Sequence, residues 1–106
     1  MNSARIVVPA RATRGQIIEI KTLIQHPMET GYRRNDIGEA IPRHIIESLV
    51  VTYAGAEIFR AEMTQGVAAN PYIAFTTIAV ASGDLVFTWT DEKGATHTEK
   101  ASLQVV

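Results

Sequence analysis

Cysteine is absent from the 106 residues. That excludes a disulfide-stapled scaffold, a thiolate metal site, a thiol nucleophile and redox chemistry on this chain's own sulfur. Charge of one sign is lacking too. Ten Lys and Arg face eleven Asp and Glu, for a formal net charge of −1. No basic field exists to hold DNA or RNA, and there is no acidic tail. Long hydrophobic runs are also missing. The longest early one, Ile6–Val7–Val8, is too short for the h-region of a signal peptide. No stretch approaches the roughly 20 apolar residues of a membrane span. Neither a nucleic-acid partner nor a membrane partner is expected, nor a signal peptide belonging to this chain. What is present is a globular composition: 46% hydrophobic and 20% charged. Residues 1–106 are read as one domain.

Turn residues cut the chain into short β-type segments. Residues 4–8 form a β-branched run that Pro9 breaks, which suits an edge strand. Residues 11–15 read as a polar turn. Residues 16–25 alternate, with Ile18, Ile20, Thr22 and Ile24 on one face, taken as core. Residues 26–42 have no period and hold two glycines and two prolines. A connection of that length in a small domain is usually functional or disordered. Further strands are expected over residues 44–53, 57–63, 72–81, 85–90 and 95–105. Ala54–Gly55, Asn70–Pro71, Ser82–Gly83 and residues 91–94 serve as turns. About seven short strands with no long helix predict an all-β fold, an immunoglobulin-like antiparallel β-sandwich. Both faces of residues 72–81 are apolar, with Ile73, Phe75 and Ala79 opposite Ile78 and Val80. A sandwich buries one face per sheet, so the second face predicts a subunit interface.

The residues that could carry chemistry are scattered. His26 and Glu29 stand three apart, but Pro27 argues against the helix that would let them share a metal. His44 and His97 look isolated. Ser82, Asp91 and His97 are the residue types of a hydrolase triad, without a nucleophile elbow. No phosphate-binding glycine loop occurs. Arg33 and Arg34 are adjacent in the irregular segment, beside Tyr32, Asn35 and Asp36. Two guanidinium forks there suit an oxyanion such as sulfate, sulfonate or carboxylate. The competing arrangement, an ion pair with Asp36 inside the loop, is the expected one on the residues alone. No catalytic residue, metal or cofactor is expected.

His26–Pro27–Met28–Glu29–Thr30–Gly31–Tyr32–Arg33–Arg34, followed by Asn35 and Asp36, resembles the H-P-M-E-T-G-x-R-R-D loop of the SoxZ family, with a departure near Asn35. Ile41–Pro42–Arg43, Ala69–Asn70–Pro71–Tyr72, Phe87–Thr88–Trp89–Thr90–Asp91 and the strand around Ile20 fit as well, so the resemblance spans the chain. It implies the Z subunit of the SoxYZ sulfur carrier of thiosulfate oxidation, without catalysis of its own. The implied partner is SoxY, a second sandwich whose C-terminal cysteine arm carries the sulfur intermediates. Other Sox enzymes would be met through the complex. The resemblance also implies a periplasmic protein exported together with SoxY. His26, Met28, Glu29, Arg33, Arg34 and Asp36 are the candidates for partner or anion binding. A homodimer is a possible state of the isolated chain. The other reading is a general adaptor that binds an exported partner.

Overall fold

Alternation along Ile17–Ile24 makes that segment a strand with one buried face. Ile18, Ile20, Thr22 and Ile24 are all buried, while Ile17, Glu19 and Lys21 face solvent. The computed structural model describes residues 3–106. Among them are eight strands and no helix: β1 (Ala4–Val7), β2 (Arg11–Ala12), β3 (Ile17–Ile24), β4 (Ile46–Tyr53), β5 (Ala56–Glu62), β6 (Tyr72–Ile78), β7 (Gly83–Asp91) and β8 (Thr96–Val105). They form two sheets. One has the order β1-β3-β6, the other β2-β8-β7-β4-β5. The all-β sandwich expected from the strand pattern is therefore the fold observed.

Three details differ from expectation. Residues 11–15 are not wholly a turn, because Arg11 and Ala12 run parallel to Gln104 and Val105 as an eighth strand. Pro9 ends β1, and the chain then crosses to the other sheet. Two residues are too few to show alternation, so this strand leaves no periodic signal. The segment starting at His44 does not begin as strand. His44 sits in a lone bridge to Glu29, and β4 opens at Ile46. The strand expected to reach Ala81 ends at Ile78, where the chain again changes sheets. There the Tyr53 hydroxyl accepts the Val80 and Ala81 N–H groups at 3.2 Å each and donates to the Ala81 carbonyl.

The core lies between the sheets. Trp89, Phe87 and Leu85 of β7, Leu49 and Val51 of β4, and Ile20 and Ile24 of β3 are all fully buried. Each such side chain stabilises the fold by about 1.5–3 kcal/mol relative to exposure. On the open side, Phe59 of β5 stacks on Phe75 of β6, with ring centroids 4.2 Å apart. The molecule measures 59 × 20 × 19 Å, with a radius of gyration of 16.2 Å. A compact chain of this length would have about 13 Å. An elongated outline leaves the connection between β3 and β4 room to stand off one end of the sandwich.

Candidate functional site

The connection from β3 to β4 folds as an irregular hairpin. Glu29 and His44 exchange backbone hydrogen bonds at 2.8 and 2.9 Å. Farther out, the Ile41 N–H donates to the Arg33 carbonyl, and the Asn35 N–H to the Glu39 carbonyl. The Asn35 side-chain oxygen accepts the N–H groups of Ile37 and Glu39, shaping the tip. Gly31 has a φ of +90°, and an added Cβ there would lie 3.2 Å from the Arg43 Cβ. Only glycine fits both the left-handed backbone and the close approach of the two hairpin arms.

The base of the hairpin is built into the sandwich. His26 is 3% exposed. Its backbone N–H donates to the Asn70 side chain, and its carbonyl accepts the Asn70 N–H. The His26 Nδ1 accepts the Met28 N–H at 2.9 Å, so the neutral ring carries its proton on Nε2. That Nε2 is buried with no partner among the described residues. The ring packs edge-on against His44, centroids 4.8 Å apart. The His44 Nε2 meets Asp91 Oδ2 at 3.0 Å, and Asp91 Oδ1 accepts the N–H groups of Lys93 and Ala95. Burial, then the neighbouring His44, push the His26 pKa below its usual value of 6.5, against the opposing pull of Asp91. At Asp91, burial pushes the carboxyl up, but the bonds from His44, Ala95 and Lys93 together bring it below its ordinary value. Met28 adopts φ +51°, its side chain is buried, and its Sδ accepts the Ile46 N–H at 3.3 Å. Beside it, Arg43 pairs with Glu92 at 2.8 Å.

The tip is the opposite. Tyr32 is 81% exposed and Ile37 77%. Arg33 makes a forked contact to Glu29, Nε to Oε2 at 3.2 Å and Nη2 to Oε1 at 2.5 Å. That pairing holds the Glu29 carboxyl below its ordinary value and pushes the guanidinium up. Arg34 donates to the Gly38 carbonyl at 2.9 Å. The expected pairing of Arg33 or Arg34 with Asp36 therefore does not form. Glu29, four residues earlier on the same arm, takes Arg33 instead, and the Gly38 carbonyl takes Arg34. Asp36 is exposed and enters no ion pair among the described residues.

The structure thus divides the six candidate residues. His26 and Met28 are interior, Glu29 is half-buried, and Arg33, Arg34 and Asp36 are exposed. Two partners escaped sequence reasoning. His44 and Asp91 stand 47 residues apart in sequence, so no local spacing could pair them. The triad residue types do not assemble: Asp91 binds His44, His97 meets Glu99 at 2.9 Å, and the Ser82 hydroxyl donates to the Val105 carbonyl. No group of three metal-ligating side chains occurs among the described residues. A second exposed feature lies on the outer face of the three-stranded sheet, where Val7 and Tyr72 at one end and Ile17 and Ile78 at the other are exposed, with Glu19 and Lys21 between them.

Comparison with solved structures shows the same fold. A superoxide reductase (neelaredoxin) variant from Ignicoccus hospitalis superposes with a TM-score of 0.79 at 16% identity, covering 99% of this chain and 81% of that one. The sulfur carrier protein SoxY from Chlorobium limicola f thiosulfatophilum superposes with a TM-score of 0.67 at 9% identity, covering 97% and 78%. At such identities the likeness carries the fold and not the activity. No curated protein sequence matches the chain. The family model described as "Sulphur oxidation protein SoxZ" matches residues 5–102. That span includes the whole hairpin and all but the ends of the sandwich; the chain belongs to the SoxZ family and has its role in the sulfur oxidation system.

Proposed function

We propose that the chain is the non-catalytic subunit of a sulfur carrier of thiosulfate oxidation, pairing one-to-one with a SoxY chain whose cysteine holds the sulfur intermediates. The observation that carries this reading is the SoxZ match over residues 5–102 in a chain without cysteine. A carrier that bonds sulfur covalently through a thiol must then draw that thiol from a partner. The exposed Ile17, Ile78 and Val80, which line one hollow, support the reading, since exposed apolar side chains grouped together suit an interaction surface. The exposed side of the hairpin, with Arg33, Arg34 and Asp36, adds a polar recognition element. Arginine on such a surface suits an anionic group or an acidic partner segment. On this reading the complex works in the periplasm, brought there by an export signal on SoxY, and other Sox enzymes meet the pair rather than either chain alone.

The test is to mix the purified chain with SoxY from the same genome and measure mass by light scattering after size exclusion. A stable heterodimer, replacing whatever species the chain forms alone, is the expected result. Two folded proteins that elute separately at micromolar concentration would overturn the reading in favour of an adaptor for another exported partner.

A further inference from the structure

Each sheet of the sandwich has two edges, and three of the four are protected. β1 is four residues long and includes Arg5. β2 has only two residues. β5 carries Glu57, Arg60 and Glu62, with Arg60 bonded to Glu57 at 2.8 Å. Short length and charge are the usual devices that keep an edge from pairing with another chain. β6 has neither. Its seven residues, Tyr72–Ile78, include no charge, no proline and no glycine, and its only neighbour is β3.

The direction of the free backbone groups follows from the register. The Ala79 N–H donates to the Gln16 carbonyl, and the Ile24 N–H to the Pro71 carbonyl. Hydrogen-bonded positions alternate along an antiparallel ladder, so Ile73, Phe75 and Thr77 bond to β3. Tyr72, Ala74, Thr76 and Ile78 turn their N–H and C=O groups to the open edge. Their side chains are also the exposed ones. Beside this edge lies a hollow of about 530 Å³, lined by Ile17, Tyr53, Ile58, Thr76, Ile78 and Val80.

We propose that the free edge of β6 is where this chain joins its SoxY partner, strand against strand, a step that rests on the function proposed above. The occupant follows from the shared fold. The solved SoxY sandwich superposes on 97% of this chain, so SoxY has a strand equivalent to β6. Two equivalent edges pair antiparallel about an approximate two-fold axis, which closes both at once. Main-chain bonds from Tyr72, Ala74, Thr76 and Ile78 supply the ladder. β6 brings no charge to such a ladder, so none is buried there, and the hollow lined by Ile17, Ile78 and Val80 lies beside the joint.

Hydrogen exchange on the unmodified chain, free and mixed with SoxY, tests this. In the free chain the amides of Tyr72, Ala74, Thr76 and Ile78 exchange fast, while those of Ile73, Phe75 and Thr77 are protected. In the complex the first four are expected to slow by about 100-fold or more, as ladder amides do. Ala74→Pro and Thr76→Pro remove only edge-facing donors, so the β3 ladder is retained. They are expected to weaken SoxY binding at least about tenfold. A heterodimer in which the four amides stay fast and both proline variants bind like wild type would overturn the edge while leaving the proposed function standing. Absence of any heterodimer overturns both. Protection of the edge in the chain alone, with no heterodimer, assigns it to a second copy and overturns the SoxY pairing. Should a proline variant misfold, the exchange pattern of the unmodified chain decides.

Discussion

At the base of the hairpin, His26, Met28 and Asp91 are buried and hydrogen-bonded to groups on other elements. At the tip, residues 32–40 are all exposed, and the polar contacts of Arg33, Arg34 and Asn35 stay within the hairpin. One continuous loop motif therefore does two jobs. Its first residues plug the end of the sandwich and hold the hairpin's root. Its later residues stand in solvent, where their side chains can be recognised. A substitution at the base is expected to read out as stability, and one at the tip as binding.

The largest effect expected is at Met28. Met28→Ala leaves a cavity beside Ile46 and removes the sulfur acceptor, so a loss of about 2–5 kcal/mol is expected in urea unfolding. An unchanged midpoint would mean that the base is no more structural than the tip. Asp91→Ala comes next. It strands two backbone N–H groups and the His44 ring, at an expected cost of about 1–3 kcal/mol.

Acid should sharpen the contrast further. The folded state holds His26 below 6.5, so the unfolded chain takes up that proton first. Its contribution is complete above the unfolded value and is lost as pH falls from about 6.5 toward the folded value. His44 and Asp91, the titratable groups facing the ring, are one repulsive and one attractive to its charged form. Asp91, also held low, adds a second loss as pH falls below 3.8. Thermal unfolding at pH 7.5, 6.5 and 5.5 should show a falling Tm, with the dependence reduced in His26→Phe. The smallest stability change is expected at the tip. Arg33→Ala removes an exposed ion pair and should leave the urea midpoint almost unchanged. The same change, combined with Arg34→Ala, should weaken SoxY association measured by calorimetry. Unchanged affinity would leave the tip without a binding role.

The sandwich was legible because strand signals are local. Ile18, Ile20, Thr22 and Ile24 declare a buried face through spacing alone, and every one of them is buried. The hairpin was legible only as an irregular segment of distinctive residues. Its division was not, because His26 and Arg33 are equally polar on paper. What separates them is whether the folded chain supplies neighbours: Asn70 and His44 close over His26, and nothing closes over Arg33.

By itself, then, the sequence determined the all-β class, the inward face of β3, the absence of thiol chemistry and the loop motif that marks the family. Each of these depends on residue identity or on a period of two, which the local backbone enforces. Only the tertiary structure decided that Asp91 serves His44, that Arg33 pairs with Glu29 rather than Asp36, and that β6 is left as an uncharged edge. Those outcomes depend on sheet order and register, which bring together groups far apart in the chain, and no local period encodes them.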